Sequence, residues 1–465
     1  MKFSLLNRKT YDTERGRTTE SNAIYDLLID KLVGAFEPNY DRSENFLHLL
    51  REPPHPENIL YRQGVLKDFL NNPQLMDDLR ESFKSYDDMR RDWQELRSAM
   101  GTYSSLKTTA EFISNTLSHF SAVRELTERY ELQSEGLNAL KAWLLETSND
   151  SAIRELSEIC ALWTRDNIAD YEWQLNARLS ETLRLDSVSV SSVAELTETS
   201  LLKRIFTKKT DYGAFDLGEF HSGEAHTMLS GAIDEVYFAL TTIAGALYEI
   251  FRGLSAELDF YVTASNFTEY LRKRDMAVVF PDIVSSGIKI TEVYDPLLIT
   301  EGLSKEQIVS NDFKLGETSN LIIRGENAAG KTSFLRAVGI SVIFASAGLP
   351  VCAGSANIAC FRAVFTQFSK AETLSALDEA GRFEQEVREL SGIVHGELAN
   401  SLIILNETFQ STSYSEASSA IVKILQRIER AGARWIFVTH LSPLLNAPPS
   451  SSSVAVMESY SLRSE

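Results

Sequence analysis

Hydrophobic and polar residues follow two different periods along this chain of 465 residues. From about residue 57 to Trp163, apolar side chains recur at steps of three and four, which predicts one helix after another. The same spacing returns from Ile233 to about Leu271. Its apolar stripe steps by 4, 3, 4, 3, 4 and 4 residues: Val236, Leu240, Ile243, Leu247, Ile250, Leu254 and Leu258. The stripe predicts a helix of roughly 50–60 Å, either a core helix or a lever that joins remote parts of the chain.

Strand-like patterns dominate the last part of the chain. β-Branched runs broken by turn residues begin after Arg272–Arg274, so we place a domain boundary near Met276. Earlier, Leu185–Val193 alternates with a period near two, which predicts a short β excursion or an irregular loop near residues 180–212. We expect an N-terminal helical segment (1–56), an all-α helical core (57–275) and an α/β domain (276–465).

A glycine-rich loop in the α/β part carries the strongest chemical signal. Gly325, Gly330, Lys331 and Thr332 match the phosphate-loop pattern G-x-x-x-x-G-K-[ST], with an apolar run before it and an amphipathic segment after it. Glycines let backbone N–H groups converge on an anion, Lys331 supplies charge for the β- and γ-phosphates, and Thr332 offers a hydroxyl to Mg²⁺. We predict an ATP and Mg²⁺ site whose loop comprises Gly325, Glu326, Asn327, Ala328, Ala329, Gly330, Lys331, Thr332 and Ser333.

The apolar run that begins at Ser401 ends in two polar residues, Asn406 and Glu407. In partner strands of phosphate loops the first position is usually an Asp that orients water on the metal. The neutral amide of Asn406 still accepts a hydrogen bond from metal-bound water but adds no charge, so we expect Mg²⁺ to be held less firmly. Glu407 is the expected general base.

Two further apolar runs end in side chains suited to the same site. The run from Trp435 ends in His440, and Phe365–Phe368 contains Gln367, an amide that can sense metal or water. The catalytic residues that we predict are Lys331, Glu407 and His440, and the predicted metal ligands are Thr332, Asn406 and Gln367.

The formal net charge of −19 is unevenly distributed. Residues 1–280 hold 31 basic and 45 acidic residues, a balance of −14, whereas the remainder has a balance of −5. An acidic surface disfavours non-specific binding of polyanions, so a nucleic-acid role requires a local basic patch. The densest cluster is Lys203, Arg204, Lys208 and Lys209 around Phe206, which is either a phosphate-backbone contact or an ordinary solvated face.

Cysteine usage and hydropathy indicate a cytoplasmic protein. Cys160, Cys352 and Cys360 have no framework spacing, which favours free thiols in a reducing compartment. The first residues lack a signal-peptide pattern. The longest apolar stretch, Ala337–Ala353, is interrupted by Gly, Ser and Pro, so we interpret it as a buried helix and loop and expect no membrane partner.

Together these motifs resemble the ATPase domain of the MutS mismatch-repair family, within the wider ABC class of P-loop NTPases. The resemblance extends from about Leu254 to Leu445 in the family's order and spacing. It is carried by Leu254–Asp259, Phe280–Val284, Gly287–Ile290, Tyr294–Leu298, Ile308–Asp312, Ala347–Ala353, Val364–Gln367 and Asn327. Upstream, Ile59–Gln63 is similar to the start of the family's helical core.

The resemblance implies a helical core and lever that feed a C-terminal ATPase domain, which forms a homodimer. Each ATP is then held between the phosphate loop of one subunit and a signature loop of the other, here Gly381–Glu386. Phe383 and Glu386 match the family pattern, but Gly381 and Arg382 replace the usual Ser-Thr pair. The Gly381 N–H or the Arg382 guanidinium is the expected substitute contact to the γ-phosphate.

Other departures from the family pattern shape the expected function. An acidic–glycine turn usually follows the catalytic Glu, and here the segment Thr408–Tyr414 replaces it. The excursion near 180–212 is short for the family's clamp, and the residues before the helical core leave no room for its mismatch-recognition modules. We therefore expect a truncated MutS-like protein.

Functions from different classes fit these features. The first is a slowly hydrolysing ATPase dimer whose helical core binds DNA, in mismatch repair or on branched structures. The alternative is an ATP-gated protein-interaction switch that binds no nucleic acid. An inactive structural relic is disfavoured because Lys331, Thr332, Glu407 and His440 are all intact.

Overall fold

The computed structural model describes residues 3–8, 21–52, 55–99, 102–164, 171–179, 185–195, 222–317, 319–326, 329–368, 379–409, 414–440 and 454–459. The chain forms two compact units. We call one the helical unit, which comprises Gln74–Glu131 and Ala139–Ser255. We call the other the sheet unit, which comprises Met1–Pro73, Leu132–Asn138 and Ala256–Glu465. The three-part division at residues 56 and 275 stays a prediction.

The described ranges contain the predicted succession of helices followed by an α/β domain. The helices are α1 (Ala23–Asp26), α2 (Ile29–Phe36), α3 (Tyr40–Leu50), α4 (Pro56–Asn71), α5 (Pro73–Ala99), α6 (Thr102–Glu128), α7 (Glu135–Asn149), α8 (Ser151–Trp163), α9 (Ser222–Arg272), α10 (Leu297–Thr300), α11 (Lys331–Ala347), α12 (Glu379–Val394) and α13 (Tyr414–Arg430). The strands are β1 (Tyr171–Leu179), β2 (Leu185–Glu195), β3 (Asp282–Val284), β4 (Ile288–Val293), β5 (Asn311–Leu315), β6 (Asn320–Gly325), β7 (Ser355–Ala359), β8 (Val364–Phe368), β9 (Leu402–Asn406), β10 (Arg434–Val438) and β11 (Val454–Ser459). A 3₁₀ turn spans Lys305–Gln307.

Aromatic side chains fill the core of the helical unit. The ring centroids of Tyr86 and Phe251 lie 4.3 Å apart, and those of Phe120 and Phe251 lie 4.5 Å apart. Trp93 stacks on Phe112 at 4.5 Å. Aromatic pairs at these separations add stability beyond that of their buried area. They fix α5 and α6 against α9 around Phe251.

The predicted long helix is confirmed as α9, and it is longer than expected, with 51 residues. Leu240, Leu247 and Leu254 of the predicted stripe are buried. Ile250, however, is 36% exposed, and Phe251 is buried in its place. The stripe covers 22 residues in six steps, about 3.7 residues per step, which is close to the 3.6 of a straight helix, so the spacing alone does not account for the burial of Phe251.

The alternating stretch near residue 185 is a β-strand and not an irregular loop. β1 and β2 pair antiparallel with two register shifts. The sequence reading missed β1, although Tyr171, Trp173 and Leu175 alternate with the same period of two. Lys203, Arg204, Lys208 and Lys209 lie outside the described residues.

Two sheets form the frame of the sheet unit. The larger has the order β11-β6-β10-β9-β8, and its neighbouring strands pair in parallel. The smaller is a mixed sheet with the order β3-β7-β4-β5. The strands β6, β9 and β10 are continuous apolar runs whose side chains are almost entirely buried, as a parallel sheet covered on both faces requires. Because the strands are parallel, their carboxyl ends meet at one edge, where the predicted site residues follow them.

The N-terminal residues pack against this sheet and against α11. Thr366 Oγ1 in β8 donates to Asp26 Oδ2 at 2.7 Å. A Cβ placed on Gly339 of α11 would lie 2.7 Å from Leu27 Cδ1 and 3.0 Å from Ile404 Cδ1. Glycine at 339 therefore allows Leu27 and β9 to approach the helix closely.

The apolar stretch that begins at Ala337 is the buried second half of α11 and the loop after it, as predicted. Within the described ranges, the helices are too short or too polar to traverse a lipid bilayer.

Candidate functional site

The phosphate loop joins a buried strand to a helix in the order that the sequence suggested. β6 ends at Gly325, and α11 begins at Lys331. Asn327 and Ala328 lie outside the described residues. The first N–H groups of a helix have no partner within it, so the start of α11 provides donors and a positive dipole end for an anion.

Gly330 precedes α11 in a left-handed conformation with φ of 78°. A Cβ added there would meet no atom within 4 Å. The backbone conformation, and not lack of space, therefore favours glycine at this position. Beside it, the Ala329 N–H donates to the Glu326 carbonyl at 3.3 Å, which tightens the loop.

Lys331 is buried and bonded to its own loop. Its Nζ donates to the carbonyl oxygens of Gly325 and Glu326, both at 2.8 Å. The same atom lies 3.4 Å from His440 Nε2 and 4.0 Å from Glu407 Oε1. Glu407 and His440, both distant from the loop in sequence, are thereby brought to the ammonium group of Lys331.

Glu407 follows β9 in a left-handed conformation with φ of 56°, and its N–H donates to the Val438 carbonyl of β10 at 2.9 Å. Residues other than glycine carry backbone strain of about 1–3 kcal/mol in this left-handed region. Such strain persists where surrounding contacts hold the residue, and it is frequent at functional sites. Glu407 Oε1 lies 3.3 Å from His440 Nε2. Its side chain is 28% exposed, so a water molecule can reach it.

Asn406 and Thr332 lie side by side at the edge of the sheet. Asn406 Nδ2 donates to Thr332 Oγ1 at 3.3 Å. Asn406 Oδ1 is buried without a protein hydrogen-bond partner in the described part of the chain. A buried acceptor next to a hydroxyl fits metal-bound water. Mg²⁺ usually takes one or two protein ligands together with phosphate oxygens, so this pair fits a magnesium ion that arrives with the phosphates. The described residues contain no group of three or more His, Cys, Asp or Glu able to hold a metal alone.

Gln367 lies on β8, at the far side of β9 from the phosphate loop. Its Oε1 accepts a hydrogen bond from Thr408 Oγ1, and its Nε2 is buried without a protein partner within the described ranges. Gln367 therefore contacts the residue after Glu407 and not Thr332 directly. Its role as a metal ligand stays a prediction.

An ion pair braces the helix behind the phosphate loop. Arg336 Nε donates to Asp295 Oδ2 at 2.9 Å, and Asp295 Oδ1 accepts the Leu297 N–H at 3.0 Å. Arg336 also reaches Ser333 Oγ at 3.4 Å. Burial raises the pKa of Asp295, which the charge of Arg336 opposes. The pair fixes the first turns of α11 against the loop after β4.

Sequence reasoning placed Glu386 in the signature loop and predicted no contact between it and the Glu407 loop of its own subunit. The carboxylate Oε2 of Glu386 accepts the Phe409 N–H at 2.8 Å, two residues beyond Glu407. The one signal in the sequence is Phe409, which stands where a glycine turn is usual and adopts φ of 66°. Gly381 and Arg382 lie at the start of α12, and their side chains are outside the described residues.

Family comparisons agree with this arrangement. Residues 321–463 match the model described as MutS domain V, and residues 55–274 match the model described as MutS2 N-terminal domain. The DNA mismatch repair protein MutS of Caldanaerobacter subterraneus subsp. tengcongensis is 29% identical over 210 residues, which is 42% of this chain and 24% of that protein.

Two other relatives carry the same name. The DNA mismatch repair protein MutS of Chlorobium phaeovibrioides is 34% identical over 160 residues, 34% of this chain and 18% of that protein. That of Clostridium botulinum is 30% identical over 171 residues, 36% of this chain and 18% of that protein. The chain thus spans about a quarter or less of the length of these curated relatives.

Proposed function

The chain belongs to the MutS family, and we propose that it binds ATP with Mg²⁺, hydrolyses it slowly and acts as a homodimer that binds DNA. One observation carries the proposal. Lys331 Nζ lies within 4.0 Å of both Glu407 and His440 at the carboxyl edge of a parallel sheet, directly beside a phosphate loop. Phosphoryl transfer to water needs positive charge on the phosphates and a group that positions or deprotonates the water, which Lys331 and Glu407 can supply.

The residues of the site divide the chemistry among them. On ATP binding, Lys331 exchanges the carbonyl oxygens of Gly325 and Glu326 for the β- and γ-phosphates. Glu407 accepts a proton from the attacking water, and His440, 3.3 Å away, holds the carboxylate in place. Thr332 and Asn406 would hold Mg²⁺, which would supply positive charge against the charge that develops on the phosphates.

Two departures from the family pattern support a slow reaction. Asn406 contributes no negative charge to the metal, so the ion is held less firmly than by a carboxylate. Gly381 and Arg382 offer no hydroxyl to the γ-phosphate of a partner subunit. Both changes weaken contacts that are made in the transition state and leave the phosphate loop itself intact.

Nucleotide binding and hydrolysis are tested with wild type and Lys331→Ala. We expect Lys331→Ala to lose ATP affinity by at least about tenfold, because the charge on the phosphates is then uncompensated. Binding is followed with a fluorescent ATP analogue and hydrolysis by phosphate release. Equal affinity and equal rates for the two proteins would refute the proposed site.

The DNA half of the proposal rests on the helical region and on the relatives, which are called DNA mismatch repair proteins. The basic cluster Lys203, Arg204, Lys208 and Lys209 supplies the local positive charge. Binding to duplex and branched DNA is measured across a salt series. We expect affinity to fall steeply with salt, and absence of binding near 50 mM salt would exclude the role.

An ATP-gated protein-interaction switch is the second candidate. The acidic balance of −14 over residues 1–280 favours it, since such a surface repels DNA. A pull-down whose partners differ between ATP and ADP, together with undetectable DNA binding, would support this candidate over the first.

A further inference from the structure

A buried carboxylate on α12 is bonded to the loop that carries Glu407. Glu386 is 9% exposed, and its Oε2 accepts the Phe409 N–H at 2.8 Å. Hydrogen bonds from backbone N–H groups to a carboxylate are charge-assisted and stronger than neutral ones. A buried N–H without such an acceptor would be strongly disfavoured, so this contact helps to decide where the loop lies.

The loop needs to be held, because its backbone is unfavourable for the residues it contains. Glu407 and Phe409 adopt φ of 56° and 66°, the left-handed region in which a Cβ is crowded. The Phe409 ring is buried in the same core cluster as Leu390, which lies one turn along α12 from Glu386. α12 therefore holds Phe409 in two ways, by its ring and by its N–H.

The conformation at Phe409 is transmitted to Glu407 through two peptide units. Thr408, between them, is tied to Gln367 of β8. Glu407 Oε1 lies 3.3 Å from His440 Nε2 and 4.0 Å from Lys331 Nζ, distances that a change in its backbone would alter directly. A misplacement of about 1 Å in a reacting group can reduce a rate by about 100-fold.

We propose that Glu386 is a positioning residue for ATP hydrolysis, which holds the Glu407 loop in its reactive conformation through the bond to the Phe409 N–H. The inference rests on the proposed role of Glu407 as general base. It assigns Glu386 a function within its own subunit, separate from the contact to a partner's nucleotide that the start of α12 is expected to make.

The test compares three substitutions at Glu386 with a control on the same helix. Glu386→Ala and Glu386→Met remove the acceptor, and Met keeps most of the bulk in case the alanine variant folds poorly. Glu386→Gln keeps an acceptor oxygen. Arg388→Ala is the control, since Arg388 lies on the same helix beyond the signature loop, is exposed and pairs with Glu384 one turn away at 2.9 Å. Single-turnover hydrolysis, affinity for a fluorescent ATP analogue and melting temperature are measured for each.

We expect Glu386→Ala and Glu386→Met to lower the hydrolysis rate by about 10- to 100-fold while ATP affinity stays within about twofold. Glu386→Gln recovers most of the rate, and Arg388→Ala matches wild type. In a Glu407→Gln background the same loss at Glu386 disappears, because the displaced group is already inactive. A purely structural role predicts instead that rate and affinity fall together with the melting temperature.

The outcomes separate this inference from the function on which it rests. If wild type hydrolyses ATP and Glu386→Met does so equally fast, the role of Glu386 is refuted and the ATPase stands. A Glu386→Gln variant as slow as Glu386→Met would also refute it, because the acceptor oxygen is then not what matters. If wild type neither binds nor hydrolyses ATP, both proposals fall.

Discussion

Alanine at position 330 distinguishes the backbone requirement of the phosphate loop from its ligand requirement. Gly330 and Gly302 adopt φ of 78° and 91°, and at both positions a Cβ would meet no atom within 4 Å. A residue with a Cβ costs about 1–2 kcal/mol in the left-handed region. Because neither site adds a clash, Gly330→Ala and Gly302→Ala should destabilise the fold by the same amount.

Only Gly330 adjoins the proposed phosphate position at the start of α11, so the two variants should differ in ATP affinity. The added methyl occupies open space beside the first N–H groups of the helix. We expect Gly330→Ala to weaken ATP binding by at least about tenfold, equivalent to about 1.4 kcal/mol, and Gly302→Ala to leave it unchanged. Urea denaturation measures the stability, and titration with a fluorescent ATP analogue measures the affinity.

The comparison fails in two distinguishable ways. If both variants bind ATP like wild type, the space next to Gly330 is not where phosphates lie, and the site must be placed elsewhere. If Gly330→Ala binds weakly but costs no stability while Gly302→Ala does, the left-handed conformation at 330 is wrong and affinity is lost for another reason.

Three further predictions concern single side chains. Glu407→Gln should still bind ATP and should lengthen the lifetime of the ATP-bound dimer, because proton acceptance by Glu407 is removed; sedimentation showing a monomer with ATP would contradict the scheme. Asn406→Asp adds a charge beside Thr332 and should increase the ratio of ATP affinities with and without Mg²⁺ by about tenfold; an unchanged ratio in EDTA and Mg²⁺ titrations would exclude Asn406 from the metal site. Burial raises the pKa of Glu257 above its ordinary value of 4.5, although Ser4 Oγ and the Leu5 N–H donate to the carboxylate at 2.7 and 2.5 Å. The contribution of Glu257 to the free energy of unfolding is therefore favourable at low pH and is lost as pH rises through the folded-state pKa. Glu257→Gln should stabilise the fold at pH 7 more than at pH 4. Equal changes in urea midpoint at both pH values would refute this.

The chemistry of the site could be predicted because parallel strands place their carboxyl ends together. Once the apolar runs before Gly325, Asn406 and His440 are recognised as neighbouring strands, their polar ends converge without further information. The strand order decides how close they come, since β6, β10 and β9 are adjacent whereas β8, which carries Gln367, lies beyond β9. The sequence motif therefore contained the site but not its internal distances.

Contacts between distant segments could not be predicted in this way. The hydrogen bond between the Phe409 N–H and Glu386 depends on how α12 packs against the loop after β9. The periodicity of the sequence does not predict this packing. The packing of Leu27 against Gly339 also joins segments that are distant in sequence, and periodicity does not predict it either. Periodicity shows that a helix has an apolar face. Which element covers that face depends on the path of the loops that join the helix to the rest of the chain.

The departures from the family pattern share a location that bears on mechanism. The altered residues lie at a strand end, in the loop after it or at a helix start: Asn406, Phe409, Gly381 and Arg382. The buried strands and Lys331 keep the residues that the fold and the phosphate loop require. Binding of a triphosphate depends mainly on the loop and Lys331, whereas hydrolysis depends on charge at the metal and on the position of Glu407. The altered residues affect the second set. In the proposed function, loss of ligand charge at Asn406 would slow the reaction, and the bond from Glu386 would hold a phenylalanine in a conformation that suits glycine. On the proposed mechanism, such a site binds nucleotide normally and hydrolyses it slowly, which single-turnover hydrolysis compared with nucleotide affinity would test.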